Sequence, residues 1–481
     1  MYRQSYIFFT PLFYKEMPYH EFSLKALLIV IIFILLALTQ CITFNDVNDN
    51  FLSWACFQGD FLRSGISASS VPNSLSDISS FSLNISRDLF VSSNNPFVAL
   101  SKTDIRVHPV CYGHKLFFVL GPKLFMYDIL ECTFSECFIC GYNYVQMLNS
   151  CIYGYDLFLY NDSLYVLSVS KVIDNATCIF RYHFVSRLSL NGSIIWSRLI
   201  FEEIMFDRFN QSFRSDIIFR IVPLEGYVVA IPHGWLPAAE SFIDFRIFSL
   251  NVATGELHTR KIRITVSNTF HEKSLQVYTS LPVVYMGKIW FIVSVSGYSP
   301  FQKLICIDDP KRITYRIVCS HGTSYPMYVF INDGILYVSY VDALYRVNIS
   351  DVGELSFEKV NVTNPPIGYL RYALVLRDGI MYSIFLGSYV VAHYLDGGIK
   401  WYTRITPSGS VNSFVIRDVS LTLYANGILV SVRTFCFTGV FCLDKETGEI
   451  LWVFPCDFVY HAFSVDGKVF IVTANKLIIL S

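Results

Sequence analysis

Beyond residue 50 the chain has no run of about 18 uncharged apolar residues, the length a membrane-spanning helix requires. Its apolar stretches there are short: residues 283–296 are cut by Gly287-Lys288 and residues 374–386 by Arg377-Asp378-Gly379. A polytopic membrane protein is thereby set aside, although 53% of the residues are hydrophobic and 16% aromatic. No long basic run occurs, and 37 Lys+Arg balance 38 Asp+Glu, so nothing points to nucleic acid as a partner. Gly-x-Ser-x-Gly elbows, phosphate loops and zinc-protease motifs are absent. No two cysteines are adjacent, and no Cys-x-x-Cys-His offers a haem attachment. Helical periodicity is almost missing beyond residue 50. Short β-strands, buried on both faces, account for what is left.

What is present is a repeated unit. From residue 113 onward a turn followed by a strand starts at His114-Lys115, Asn161-Asp162, Glu225-Gly226, Gly287-Lys288, Asp333-Gly334, Asp378-Gly379, Asn426-Gly427 and Asp466-Gly467. Asn/Asp-Gly turns between short β-branched or aromatic segments read as antiparallel hairpins. The other half of the unit is clearest in Phe441-Cys442-Leu443-Asp444, then Thr447-Gly448-Glu449-Ile450-Leu451-Trp452. Aligned on that turn, an aromatic recurs at Trp196, Tyr315, Phe357, Trp401 and Trp452, while one copy has Thr259. A side chain kept at that offset reads as a wedge docking one repeat onto its neighbour. Four strands per copy cannot bury their own faces, so copies must stack. The expected fold is all-β: an eight-bladed β-propeller, with seven blades as runner-up.

The unit resembles the PQQ-type propeller repeat of quinoprotein dehydrogenases and their non-enzymatic relatives. The segment from Leu443-Asp444 to Trp452 is a near-ideal copy, and Trp54-Ala55-Cys56-Phe57-Gln58-Gly59-Asp60 with Arg63-Ser64-Gly65 is similar to that family's opening motif. The resemblance covers residues 54–481, strongest in the last 100 and poor across 130–190 and 201–225. It implies a ring closed by N-terminal strands. The chain stops at Leu477-Ile478-Ile479-Leu480, read as two strands into a unit, so residues 54–110 are the expected donor of the missing strands. Residues 67–95, rich in Ser and Asn, are expected to form an irregular loop.

At the N-terminus residues 26–38 form an unbroken apolar stretch preceded by Arg3, Lys15 and Lys25 and followed by Asp46 and Asp49. Basic before and acidic after directs the N-terminus to the cytosol and the remainder across the membrane. The expected organisation is a cytosolic segment (1–25), a hydrophobic helix acting as signal peptide or signal anchor (26–44), an opening segment with ring-closing strands (45–110) and the blades (111–481). Seven N-glycosylation sequons agree with export, at Asn84, Asn161, Asn175, Asn191, Asn210, Asn348 and Asn361. Of thirteen cysteines, Cys41 is lost if a signal peptide is cleaved after it. In an oxidising compartment, disulfides are expected among Cys132, Cys137, Cys140 and Cys151, and among Cys436, Cys442 and Cys456.

The family's cofactor site requires a Trp floor, a disulfide between adjacent cysteines and calcium ligands, and the absence of any Cys-Cys pair argues against it. Four of six tryptophans fall in repeat or opening positions, leaving Trp235 and Trp290. Cys132-x4-Cys137-x2-Cys140 has the spacing of an iron–sulfur site, but in an exported chain disulfides are the simpler reading. His108-x2-Cys111-x2-His114 is a weak metal pattern, and His233, in Pro232-His233-Gly234-Trp235, is expected in a projecting loop. No catalytic, cofactor or metal residue is assigned. The expected role is a non-catalytic platform for a protein or glycan partner in the secretory pathway, membrane-attached if the N-terminal segment is uncleaved. The alternative is a degenerate or unrecognised enzyme using the central channel, including a quinoprotein-like oxidoreductase.

Overall fold

The structure, a computed structural model, describes residues 71–83, 109–139, 151–174, 178–207, 218–236, 242–265, 276–280, 282–296, 301–312, 314–321, 328–332, 334–339, 344–349, 355–360, 371–385, 389–395, 398–405, 418–433, 438–456, 459, 461–465, 467–473 and 475–481. The chain divides into Met1–Ser53 and Trp54–Ser481. The first unit, with the expected hydrophobic helix, lies outside the described residues, as does the Trp54 to Gly65 motif.

Every strand pairing is antiparallel. The first strand, β1 (Ile78–Ser82), is set apart from the blade that follows it. Blade 1 comprises β2 (Val110–Tyr112), β3 (Lys115–Leu120), β4 (Lys123–Asp128) and β5 (Thr133–Phe138). Blade 2 comprises β6 (Cys151–Tyr160), β7 (Ser163–Asp174), β8 (Cys178–Ser189) and β9 (Ile194–Asp207). Blade 3 has β10 (Ile218–Leu224), β11 (Tyr227–Leu236), β12 (Phe242–Asn251) and β13 (Leu257–Thr265). In blade 4 the inner strand is split into β14 (Gln276–Thr279) and β15 (Val283–Tyr285), followed by β16 (Lys288–Ser296), β17 (Phe301–Asp309) and β18 (Thr314–His321). Blade 5 has β19 (Tyr328–Asn332), β20 (Ile335–Ser339), β21 (Leu344–Ile349) and β22 (Leu355–Val360). Blade 6 has β23 (Arg371–Arg377), β24 (Ile380–Phe385), β25 (Tyr389–Tyr394) and β26 (Ile399–Arg404). Blade 7 has β27 (Asp418–Leu423), β28 (Gly427–Arg433), β29 (Thr438–Asp444) and β30 (Ile450–Pro455). Blade 8 joins β31 (His461–Val465), β32 (Lys468–Val472) and β33 (Lys476–Leu480) to β1.

The core is a ring of apolar layers between blades. One cluster joins blades 1 and 2 through Phe117, Val119, Leu157 and Val166. Others join blades 2 to 4, 4 to 5, 5 to 6, 6 to 7 and 7 to 8. A last one returns from Phe463, Phe470 and Ile479 to Leu116, Phe118 and Tyr127 of blade 1. The Tyr127 and Phe470 rings meet edge-on at 5.9 Å across that junction. Each blade is therefore buried on both faces, which is why the strands carry apolar residues almost continuously. The ring is an eight-bladed propeller.

All eight sequence-read turn starts lie between the first and second strands of a blade. At Asn161-Asp162, Glu225-Gly226, Met286-Gly287 and Asp378-Gly379 both central residues have positive φ, the mirror-type turn whose twist suits antiparallel strands. This placement corrects the phase of the repeat. His461–Val465, ahead of the Asp466-Gly467 turn, already belongs to blade 8, so the chain stops after three strands of that blade. Among the described residues one strand comes from the N-terminal side, within the 54–110 stretch expected to close the ring. It is β1, paired with β33 from Ile78↔Leu480 to Ser82↔Lys476, inside the stretch expected to be an irregular loop. An outermost strand has one solvent face, so a Ser-rich segment can supply it. The amides of Ser76 and Asp77 donate to the carbonyl of Ser481 at 2.7 and 3.1 Å and fix its start.

Candidate functional site

Three of the expected docking aromatics make the same contact. Trp196 donates its indole N–H to the Val252 carbonyl at 3.1 Å, Trp401 to the Lys445 carbonyl at 3.0 Å, and Trp452 to the Pro72 carbonyl at 2.8 Å. Val252 and Lys445 lie in the turn before the outer strand of the next blade, and Pro72 precedes β1 in the same way. In blades 3, 4 and 7 such a turn is capped by the residue that ends the third strand. Asp444 Oδ1 accepts the Glu446 and Thr447 amides, Asn251 Oδ1 those of Ala253 and Thr254, and Asp309 Oδ1 those of Lys311 and Arg312. These bonds hold the Asp444 carboxyl below its ordinary range.

The other expected positions differ. In blades 2, 6 and 7 a β-bulge precedes the tryptophan, between Arg187 and Leu188, Ala392 and His393, and Cys442 and Leu443. The pairing of β21 with β22 shows no such shift, and Phe357 packs against the cluster of blades 4 and 5, towards the preceding blade. In blade 3 the bulge is also absent, and Thr259 is exposed. His258 there shares its side of β13 with buried Ile262 and Ile264, its ring 6.2 Å from that of Tyr227. Tyr315 pairs with Ile307, and its side chain lies outside the described residues. One extra residue reverses the side to which the aromatic points, and sequence spacing cannot register that.

A second set of blade-to-blade bonds escaped the sequence reading. Tyr112 Oη donates to Asp162 Oδ1 at 2.8 Å, Tyr285 Oη to the Gly334 carbonyl at 2.9 Å, and Tyr160 Oη accepts the Gly226 amide at 3.3 Å. Tyr424 Oη accepts the Ser464 amide at 2.7 Å. Each tyrosine ends, or directly follows, the first strand of its blade. A Tyr just before each of these four turns was the available signal.

The ring is uneven on one side. In blade 7, β28 continues from Leu429, level with the docking tryptophan, only to Arg433. In blade 2, β7 continues from the matching Tyr165 to Asp174, paired with β8 throughout. At about 3.3 Å per residue these reaches are roughly 13 and 30 Å. Blades 3 and 4 rise on the same side, with β11 reaching Leu236 and β16 reaching Ser296. Blades 3 and 4 are also joined. β11 pairs with β10 as far as His233, then Gly234–Leu236 pair with Thr279–Val277 of β14, which pairs in turn with Val293–Ser296 of β16. Buried Thr279 donates its hydroxyl to the Pro232 carbonyl at 2.5 Å. His233 and Trp235 thus lie in a strand rather than the expected projecting loop. Pro232 is tolerated and Gly234 drawn into the ladder because the neighbouring blade supplies the partners. The side chains of His233 and Trp235 lie outside the described residues.

At the foot of this wall an ion pair links the innermost strands of blades 2 and 3. Arg220 Nη1 lies 3.6 Å from Asp156 Oδ1, with side-chain exposures of 0% and 6%. The Ile221 amide adds a 3.5 Å contact to Asp156 Oδ2. Arg181 and His183 are buried nearby on β8, and the His183 ring meets Phe219 of blade 3 at 5.1 Å. Desolvation makes a lone buried charge costly, so the two innermost strands are held together by mutual neutralisation.

Among the described residues no three His, Cys, Asp or Glu side chains are grouped to hold a metal. Cys132 and Cys137 are thiols, so the disulfides expected there do not form between them. Cys132 caps the Ile129 carbonyl, whereas Cys137 approaches the Gly192 carbonyl of blade 2 at 3.4 Å. Cys442 is a buried thiol pushed up to about 12 by desolvation, far from a reactive thiolate. Cys140 and Cys436 lie outside the described residues, as do His108 and the side chain of Cys151. Cys111 lies on β2 and His114 in the turn after it, both exposed. Trp290 is buried between blades 4 and 5, donating to the Tyr285 carbonyl at 3.2 Å. Asn161, Asn191 and Asn348 are exposed, and the other four sequon asparagines lie outside the described residues.

No known protein-family model matches the chain, and no curated protein does. Similar solved structures include BamB from Moraxella catarrhalis, at 10% identity and a TM-score of 0.47, covering 85% of this chain and 98% of that one. The dihydro-heme d1 dehydrogenase NirN shows 11% identity and a TM-score of 0.43, covering 73% and 66%. AztD from Citrobacter koseri shows 12% identity and a TM-score of 0.32, covering 76% and 98%.

Proposed function

We propose that this chain is a non-catalytic propeller of the PQQ-type repeat class that acts as a binding platform for a protein or glycan, exported or held at a membrane by its N-terminal segment. The observation that carries this reading is the wall raised by blades 2 to 4 on one side of the ring. Strands far longer than closure needs, stitched across two blades by β14, make a rigid projecting surface rather than a cavity. Propellers present partners across a face, and fold alone assigns no chemistry. Exposed sequons at Asn161, Asn191 and Asn348 support a non-cytosolic location.

Two measurements test it. Expression in a secretory host, with intact mass before and after glycosidase and an absorption spectrum, gives a glycosylated, colourless product if the reading holds. Quinone or haem absorption overturns the non-catalytic assignment. For the wall, residues 172–180 are replaced by Asn-Gly, joining the cross-strand pair Lys171↔Arg181 by a tight turn. Proximity labelling at the cell surface then compares this variant with the parent. Loss of a defined set of neighbours with unchanged thermal stability supports the platform; an identical set places binding elsewhere.

A further inference from the structure

Arg260-Lys261-Ile262-Arg263, on the edge strand of blade 3, is the one place where three of four consecutive residues are basic. Ile262 and Ile264 are fully buried, which turns Lys261 and Arg263 to the opposite side of β13. Register sets Arg246 of β12 opposite Lys261, and Asp244 opposite Arg263. Lys261 and Arg263 are 53% and 57% exposed, and both reach the same carboxylate: Lys261 Nζ lies 2.5 Å from Asp244 Oδ2, and Arg263 Nε 2.9 Å from Oδ1. Arg246 and Arg260 are also exposed, and among the described residues neither has an acidic partner. Arg260 shares the side of Ile262, so three cations, Arg246, Lys261 and Arg263, face one anion and leave that side a net +2.

The strip has no apolar anchor. Among the described residues no large hydrophobic side chain is exposed on β12 or β13. Protein interfaces draw most of their affinity from a buried aromatic or aliphatic centre. A flat two-stranded surface, with rows about 4.8 Å apart and same-face side chains about 6.8 Å apart, suits an extended charged chain instead. Guanidinium forks pair with sulfate or carboxylate groups in two-pronged fashion. We propose that the raised outer edge of blade 3 binds an extended anionic polysaccharide through Arg246, Lys261 and Arg263. This rests on the platform reading and names the chemistry of its ligand.

The full glycosylated chain is titrated against a fluorescein-labelled heparin octasaccharide, with neutral dextran and a poly-glutamate peptide as comparators, over a range of NaCl. Heparin binding that weakens with salt is expected, with about tenfold or greater loss in R246Q/K261Q, which keeps the Asp244–Arg263 pair. D244N, which releases two cations, tightens binding. Absence of heparin binding by the parent overturns the proposal, as does equal binding by the double variant; the cations would then serve only to block edge pairing. Preference for poly-glutamate overturns it in favour of an acidic protein segment. The wall-shortened variant retains β12 and β13, so heparin binding by that protein separates failure of this proposal from failure of the platform.

Discussion

The indole of Trp401 in blade 6 rests against the α-carbon of Gly448 in blade 7. A Cβ built on Gly448 would come within 2.5 Å of that ring, and the indole N–H bonds the Lys445 carbonyl three residues earlier in the same turn. Gly255 meets Trp196 in the same way, at 3.0 Å. The glycine and the tryptophan of the repeat are thus two halves of one contact between successive blades.

Gly448→Ala meets both a φ of +77° and the indole, while Gly379→Ala meets only a φ of +71° with open space. Urea unfolding is expected to show a loss of about 2–4 kcal/mol for G448A and about 1 kcal/mol for G379A. Equal losses would refute the contact.

Trp452→Phe removes the bond to Pro72 that, with Asn426 gripping both the amide and the carbonyl of Val71, holds the strap ahead of β1. A stability loss of about 1 kcal/mol is expected. Hydrogen exchange should quicken at the Ser76 and Asp77 amides before it changes in blades 3 to 5. Uniform quickening would mean that β1 is no separable latch.

Asp156→Asn leaves the Arg220 guanidinium buried without its counter-charge, at a cost of about 3–5 kcal/mol. The double variant Asp156→Leu/Arg220→Met should recover most of that loss in chemical denaturation. A double variant as unstable as the single would show that the pair does more than neutralise itself.

Burial lowers His461 to about 4. Unfolded histidine titrates near 6.5, so between about pH 6.5 and 4 the unfolded chain binds the extra proton. Stability therefore falls as pH drops through that window, by about 3 kcal/mol in all. Asp244, lowered to about 2 by Arg263 and Lys261, acts further down, its contribution being present above about pH 4 and lost towards pH 2. Melting temperature against pH should flatten between 6.5 and 4 in His461→Gln, and an unchanged slope would discount the histidine.

Asn161 and Asn191 occupy turns of blade 2, and Asn348 lies on an exposed position of β21. Product from a secretory host should lose one glycan mass with each of N161Q, N191Q and N348Q. Bare asparagine at all three would count against passage through that pathway.

The turns were legible because short-range backbone chemistry writes them: a residue that tolerates positive φ, most often Gly, Asn or Asp, is favoured where two strands fold back. The caps at Asn251, Asp309 and Asp444 are equally local, bonding amides two and three residues on. Trp401 and Phe357, by contrast, share a spacing yet point to opposite neighbours, because only one follows a bulge. The buried Asp156–Arg220 pair joins residues far apart in sequence, and neither has a local signal.

The amino-acid sequence by itself determined the period and the residues that cap and fill the turns, since these depend on neighbours within one hairpin, and it placed the closing strand within residues 54–110. Tertiary structure alone decided between eight and seven blades, the phase of the repeat, the facing of each aromatic and the rise of blades 2 to 4. Those depend on pairing between distant strands, where a single inserted residue or a borrowed edge changes the outcome without leaving a pattern in the chain.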